Sequence, residues 1–310
     1  LPVALKAGRP SGARAVAEAL RDLVAEELTR PVDPRVAAMA AAIAALHPGA
    51  ARAVLFYGSC LREKTLDALM LDFYLIVSDY RAAYGRGWRA FANRVLPPNV
   101  FPFAHDGLSA KYAVLSEADF ARECGMEATS ISVWARFAQP SRLVWAADAA
   151  ARAAAVAAVA EAPATLFALT RPTMAEGQGD PLAVFRAGFA LTYGAELRAE
   201  RAVRPTSIVD AGADYYQRIG VAAQAAAPAS VESPSAARRG WRRRQRKGKA
   251  LTVLRLAKAT TTFAGGIDYL AWKINRHAGT SIEVTPWQRR HPILAGIILL
   301  PRLLRRGAVR

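Results

Sequence analysis

Gly58 and Ser59 close the apolar run Ala53-Val54-Leu55-Phe56-Tyr57, and Asp72 follows shortly afterwards inside Met70-Leu71-Asp72-Phe73-Tyr74-Leu75-Ile76-Val77. A nucleoside triphosphate needs its polyphosphate held by backbone N–H groups where no Cβ intrudes. Gly58 permits that approach, and Ser59 adds a hydroxyl donor. A carboxylate must then face the same phosphates. Asp72 sits in a β-branched and aromatic run of strand length, where it can hold a magnesium ion that bridges phosphate oxygens. These residue types in this order describe the chemistry of nucleotidyl transfer. The plainer alternative is a Gly-Ser turn between two strands, with a solvated aspartate beyond it.

Metal-dependent nucleotidyl transfer commonly uses two carboxylates at i and i+2, which point to one face of a strand. Here position i+2 is Tyr74. A second metal ligand would have to come from elsewhere, and Asp67, Asp79, Asp106 and Asp119 are open candidates.

Four stretches together resemble the mitochondrial-type phosphatidate cytidylyltransferase family, the soluble-fold CDP-diacylglycerol synthases, and bacterial relatives of that group more closely. They are Tyr57-Gly58-Ser59 with Met70-Leu71-Asp72-Phe73, then Lys111-Tyr112-Ala113-Val114-Leu115, then Ala135-Arg136-Phe137-Ala138-Gln139-Pro140, and finally Thr192-Tyr193-Gly194-Ala195-Glu196-Leu197-Arg198. Ala113 and Ala135 stand where the family prefers glycine, and Gln139 where it has lysine. The resemblance implies a reaction of CTP with phosphatidate that yields CDP-diacylglycerol and pyrophosphate, with magnesium held by Asp72. It also implies that Tyr57, Gly58, Ser59 and Lys111 bind nucleotide. A phosphate monoester has a second pKa near 6, so the nucleophile is already largely a dianion at neutral pH and needs little general-base help. The protein must instead relieve repulsion between two anions and align them, which is work for cations and metal. Lys111 and Arg136 are the expected cations; taken alone, each also reads as a surface lysine or a helix-surface ion pair. Transfer to a drug, an RNA end or a protein, and an inactive nucleotide-binding adaptor, are the competing readings.

The charge is divided unevenly. Of the 42 Lys and Arg and 25 Asp and Glu, residues 238–310 hold 18 bases against two acids, Asp268 and Glu283, which leaves 24 and 23 before that point. A neutral body with a basic end is a local electrostatic device rather than a nucleic-acid-binding surface spread over the fold. Trp241, Trp272, Trp287 and the run Ile293 to Leu300 interleave with those cations. Cations mixed with tryptophan and leucine suit a headgroup layer, where each Lys or Arg contributes about 1 kcal/mol near an anionic surface. The Ile293 to Leu300 run is far short of the roughly 20 apolar residues a span requires, so attachment to an anionic membrane is expected, not crossing. Binding of RNA or DNA phosphates by the arginines, or packing of part of the tail on the body, are the alternatives.

The elements that must position these residues form an α+β arrangement: a nucleotidyltransferase-like mixed sheet domain, a helical second domain and a basic amphipathic tail. Helices are expected over Ser11 to Leu28, Val36 to Leu46, Arg81 to Val95 and the Ala-rich Ala146 to Glu161. Strands are expected near Ala53 to Tyr57, Leu71 to Val77, Val100 to Phe103 and Ser109 to Val114. From Leu115 onward no period-two alternation persists. The expected division is a nucleotidyltransferase domain over 1–142, a helical domain over 143–221, a flexible Ala/Ser/Pro linker over 222–239, and a membrane-associating tail over 240–310. Cys60 and Cys124 have neither the number nor the spacing of a disulfide framework or a zinc site, and the four histidines are scattered. A reduced cytoplasmic protein, peripheral on the inner face of the membrane, is the consistent expectation.

Overall fold

The β-branched and aromatic runs are the strands. In a computed structural model, which describes residues 11–61, 66, 69–175, 179–195, 205–228, 232–262 and 283–290, β1 (Ala51–Tyr57), β2 (Met70–Val77), β3 (Asn99–His105), β4 (Leu108–Ser116) and β5 (Ser141–Ala146) form one open sheet. The order is β3-β4-β2-β1-β5, with β2 and β4 parallel and every other pair antiparallel. The parallel pair needs a crossover, supplied by α3 (Tyr80–Tyr84), α4 (Trp88–Val95) and β3 itself. The single helix expected over Arg81 to Val95 is thus two, broken at Gly85, whose φ is +69°.

Alternation along β2 sends its side chains to two different cores. Leu71, Phe73, Leu75 and Val77 join Val54, Phe56 and Val114 beneath α2 (Pro34–Ala45). Tyr74 and Ile76 join Leu55, Ala113 and Leu115 on the other face. That second face carries α1 (Ser11–Leu28), α5 (Glu117–Cys124), α6 (Trp134–Phe137), α7 (Ala149–Thr170), α8 (Pro181–Tyr193), α9 (Pro205–Asp210) and α10 (Ala213–Ala226). α7 is long and apolar enough to cross a membrane by length and composition, but 67% of its apolar window is buried, as befits the central helix of a core.

The sheet has one strand beyond the four expected. β5 lies exactly across the boundary expected near Arg142, and one continuous apolar cluster runs from Leu20 and Leu55 through Leu143 to Phe167, Phe189 and Tyr216. The stretch 222–239, expected as a linker, is helical at both ends, with α10 running to Ala226 and α11 (Pro234–Thr262) starting before it closes. Trp241, expected among the headgroup-seeking residues, is instead 1% exposed in the same core. Its indole Nε1 donates to the Leu169 carbonyl at 2.8 Å and its ring stands edge-on to Trp134. Gln245 donates to the Leu191 carbonyl, and at Gly248 a Cβ would lie 2.7 Å from the Ala195 carbonyl oxygen, so only glycine lets the helix come this close. The outward residues Arg242, Arg243, Arg244, Arg246, Lys247 and Lys249 are exposed. Trp272 and the run Ile293 to Leu300 lie outside the described residues.

Candidate functional site

β1 ends at Tyr57 because the chain must turn there. Gly58 has φ +98°, in the left-handed region that side chains disfavour, and a 3-10 turn over Ser59–Leu61 follows. The turn faces Asp72: a Cβ added to Gly58 would stand 3.4 Å from Asp72 Oδ2. The glycine thus serves both the bend and the close approach to a carboxylate.

Register then assembles a row across the sheet. Tyr57 pairs with Asp72, Asp72 with Lys111, Lys111 with Pro102, and on the other side Tyr57 pairs with Ser141. Laterally paired residues point to one face, so Ser141, Tyr57, Asp72 and Lys111 share the face that carries α6. Lys111 Nζ lies 3.1 Å from Asp72 Oδ1, with the two side chains 28% and 22% exposed. Oδ1 is shut off from solvent and makes no hydrogen bond in a normal donor geometry, so this ammonium is its recorded partner among the described residues. The Tyr57 and Tyr74 rings lie 5.2 Å apart between centroids, tilted at 49°, and both contact Phe137 of α6, at 5.9 and 5.2 Å. The position two after Asp72, where a second carboxylate could have stood, therefore holds a packed aromatic ring, 3% exposed.

The remaining expected residues are distributed as follows. Ser59 is exposed at the turn. Arg136 lies on α6 next to Phe137 and its guanidinium donates to the Ser132 carbonyl. Asp67 lies outside the described residues. Asp79 caps α3, accepting from the amides of Arg81 at 2.7 Å and Ala82 at 2.9 Å. Asp119 accepts the Tyr80 hydroxyl and pairs with Arg122. Both belong to the far end of β2, about 20 Å from Asp72 at roughly 3.3 Å per residue. Asp106, with φ +48°, and Gly107, with φ +73°, form the tip of the β3–β4 hairpin, where positive φ at both central positions favours Asp-Gly. Of the second ligands considered, these three carry structural work and none is brought beside Asp72. Among the described residues no cluster of three His, Cys, Asp or Glu is formed.

Two further residues lie near the site, of which only Ser141 escapes a reading of the sequence. Ser141 enters the row because β5 exists; the signal was Leu143-Val144-Trp145, a short β-rich run after Pro140. Cys60 is buried, 3.6 Å from the Met70 carbonyl, and its thiol is pushed up by burial and then by the negative charge of Asp72. It stays protonated at neutral pH, unlike a reactive thiolate.

The loop ahead of α6 is held from beneath. Glu123, 1% exposed, accepts from the amide and hydroxyl of Thr129 at 3.1 and 2.7 Å and from the amide and hydroxyl of Ser130 at 3.2 and 3.3 Å. Arg255 of α11 donates to the Ser130 and Ser132 hydroxyls and to the Pro97 carbonyl. The long helix α11 therefore braces the segment that leads into Arg136 and Phe137.

No protein-family model matches this chain, and no curated protein matches it.

Proposed function

We propose that the Gly58 turn and the Asp72–Lys111 pair form a nucleotidyl-transfer site, and that the reaction is the making of CDP-diacylglycerol and pyrophosphate from CTP and phosphatidate at a membrane surface. The observation that carries the proposal is the ion pair itself: a lysine and an aspartate, 3.1 Å apart on adjacent strands, beside a glycine whose missing Cβ leaves room at the carboxylate. The finer fold reading, a nucleotidyltransferase-like sheet, rests on the same arrangement of turn, strand and carboxylate.

In this reading the turn at Gly58 and Ser59 cradles the polyphosphate through backbone amides, with Tyr57 at its edge. A phosphatidate oxygen attacks the α-phosphorus of CTP, the bond to the bridging oxygen breaks, and pyrophosphate leaves. Lys111 offsets the Asp72 charge before substrate arrives and is within reach of the anionic phosphates afterwards. Arg136, on the helix packed over Tyr57 and Tyr74, supplies further positive charge on this face. The donor set suits magnesium, which takes one or two carboxylates and completes its shell with water and substrate phosphates. Asp72 would hold the ion, whose chemistry is to neutralise the triphosphate.

The test is to incubate the full chain with CTP, magnesium and phosphatidate in detergent micelles, with ATP and UTP as controls, and to follow pyrophosphate and the lipid product. CTP-dependent release that needs phosphatidate and disappears in Asp72→Asn supports the reading. Release with a non-lipid acceptor alone, or full turnover by Asp72→Asn, overturns it.

A further inference from the structure

α4 buries its asparagine and shows its large apolar residues. Asn93 is fully buried, its side chain donating to the Val114 carbonyl at 2.9 Å and accepting from the Asn99 amide, while Asn99 donates back to the Arg89 carbonyl at 3.1 Å. This asparagine clamp fixes the helix's rotation. Trp88, Phe91 and Val95, at i, i+3 and i+7, consequently form one outward stripe, 51%, 71% and 65% exposed. On α11, Leu254 is likewise 54% exposed, and its chain neighbour Arg255 bonds the Pro97 carbonyl just beyond α4. Burying a Phe or Val is worth about 1.5–3 kcal/mol, so a rigidly held stripe of this kind marks a surface with a partner.

Charge identifies that partner. From Tyr80 to His105 the chain has no Asp or Glu and four arginines, of which Arg86, Arg89 and Arg94 flank the stripe. Trp and Phe with aliphatic Val and Leu, ringed by arginine and free of acid, match an anionic bilayer: the apolar side chains enter the acyl boundary while the guanidinium groups meet lipid phosphates. A nucleic acid would use the arginines and aromatic rings but offers nothing to Val95 and Leu254. We infer that α4, together with Leu254, inserts into the headgroup layer of an anionic phospholipid membrane and is a docking surface distinct from the basic stripe of α11.

The choice of lipid as partner rests on the proposed function, but the readout does not. Cys60 and Cys124 are 6% and 0% exposed, so Phe91→Cys on the full chain can be labelled selectively with an environment-sensitive fluorophore. Vesicles of equal phosphatidylglycerol and phosphatidylcholine are expected to raise and blue-shift its emission, and phosphatidylcholine alone to do far less. In flotation with the anionic vesicles, Phe91→Ser/Val95→Ser is expected to bind at least about tenfold more weakly. Arg86→Gln and Arg94→Gln are expected to lose about fivefold each at low salt. All four positions are exposed, and unchanged thermal unfolding checks that each variant is folded. Vesicle binding that leaves the label at position 91 unmoved overturns the inference, as does a double variant that floats like the parent. A label that responds to RNA or to self-association and not to vesicles overturns it too. A chain that turns over CTP in detergent but fails these tests loses this inference alone. One that inserts α4 yet turns over no nucleotide loses only the proposed reaction.

Discussion

Glu123 and Asp72 are both carboxylates packed against the same core, yet their surroundings are opposite. Glu123 receives two amides and two hydroxyls from Thr129 and Ser130, with Arg122 alongside, so its bonding capacity is filled by the fold. Asp72 has Lys111 and a glycine where a side chain would crowd it. A carboxylate saturated by its own chain holds structure together. One balanced, among the described residues, by an ammonium on the next strand has capacity left for a ligand.

That contrast can be broken in four places. The largest expected effect is Asp72→Asn, which should lower CTP turnover by about a thousandfold or more, close to 4 kcal/mol of barrier, while unfolding in urea shifts by less than about 1 kcal/mol. A stability loss matching the activity loss would make Asp72 another Glu123. Glu123→Ala should do the reverse and cost about 3 kcal/mol of stability in the same urea titration, because four donors lose their acceptor inside the protein. A loss under about 1 kcal/mol would show that those donors find water.

Gly58→Ala sharpens the comparison from the Asp72 side. With φ at +98°, an L-residue there should cost about 1–2 kcal/mol of stability, and its Cβ would sit in van der Waals contact with Oδ2, filling the gap between turn and carboxylate. Turnover should fall with it; unaltered turnover would mean that nothing binds between the turn and the carboxylate. The smallest effect probes the brace on the Glu123 side. Lys258 donates to the Leu96 and Pro98 carbonyls, but burial, and then the neighbouring Arg255, push its ammonium down to about 7. The unfolded chain keeps that proton up to the ordinary lysine value, so this group makes the fold more stable as pH rises above 7 and less so as pH falls back towards it. The slope cannot exceed about 1.4 kcal/mol per pH unit. Lys258→Met should flatten it, and an identical pH profile in the variant would place the charge in water.

The local devices were legible in the sequence. The Gly58 turn, the Asp72 strand, the prolines before β3 and the helix over Ser11–Leu28 each follow from residue types within a few positions, and mixed helix and sheet was the right coarse class. What stayed hidden depends on pairing at a distance. Nothing local says that β2 and β4 run parallel in the register that sets Lys111 beside Asp72, and only the resemblance points to Lys111. β5 was masked by the alanine-rich helix pattern on either side. α4 defeated periodicity outright, since Trp88 and Phe91 would be assigned inward by any apolar-face argument, and a pair of buried asparagines turns them out. Trp241 misled for the opposite reason: arginines on three faces of α11 concealed that its fourth face is core.

That fourth face has a practical consequence. With the Trp241 indole seated between α6 and α7, the arginine-bearing helix is no detachable tether. Grafting it onto another protein would expose a naked tryptophan, and clipping the chain at Arg238 would open a hole in the host.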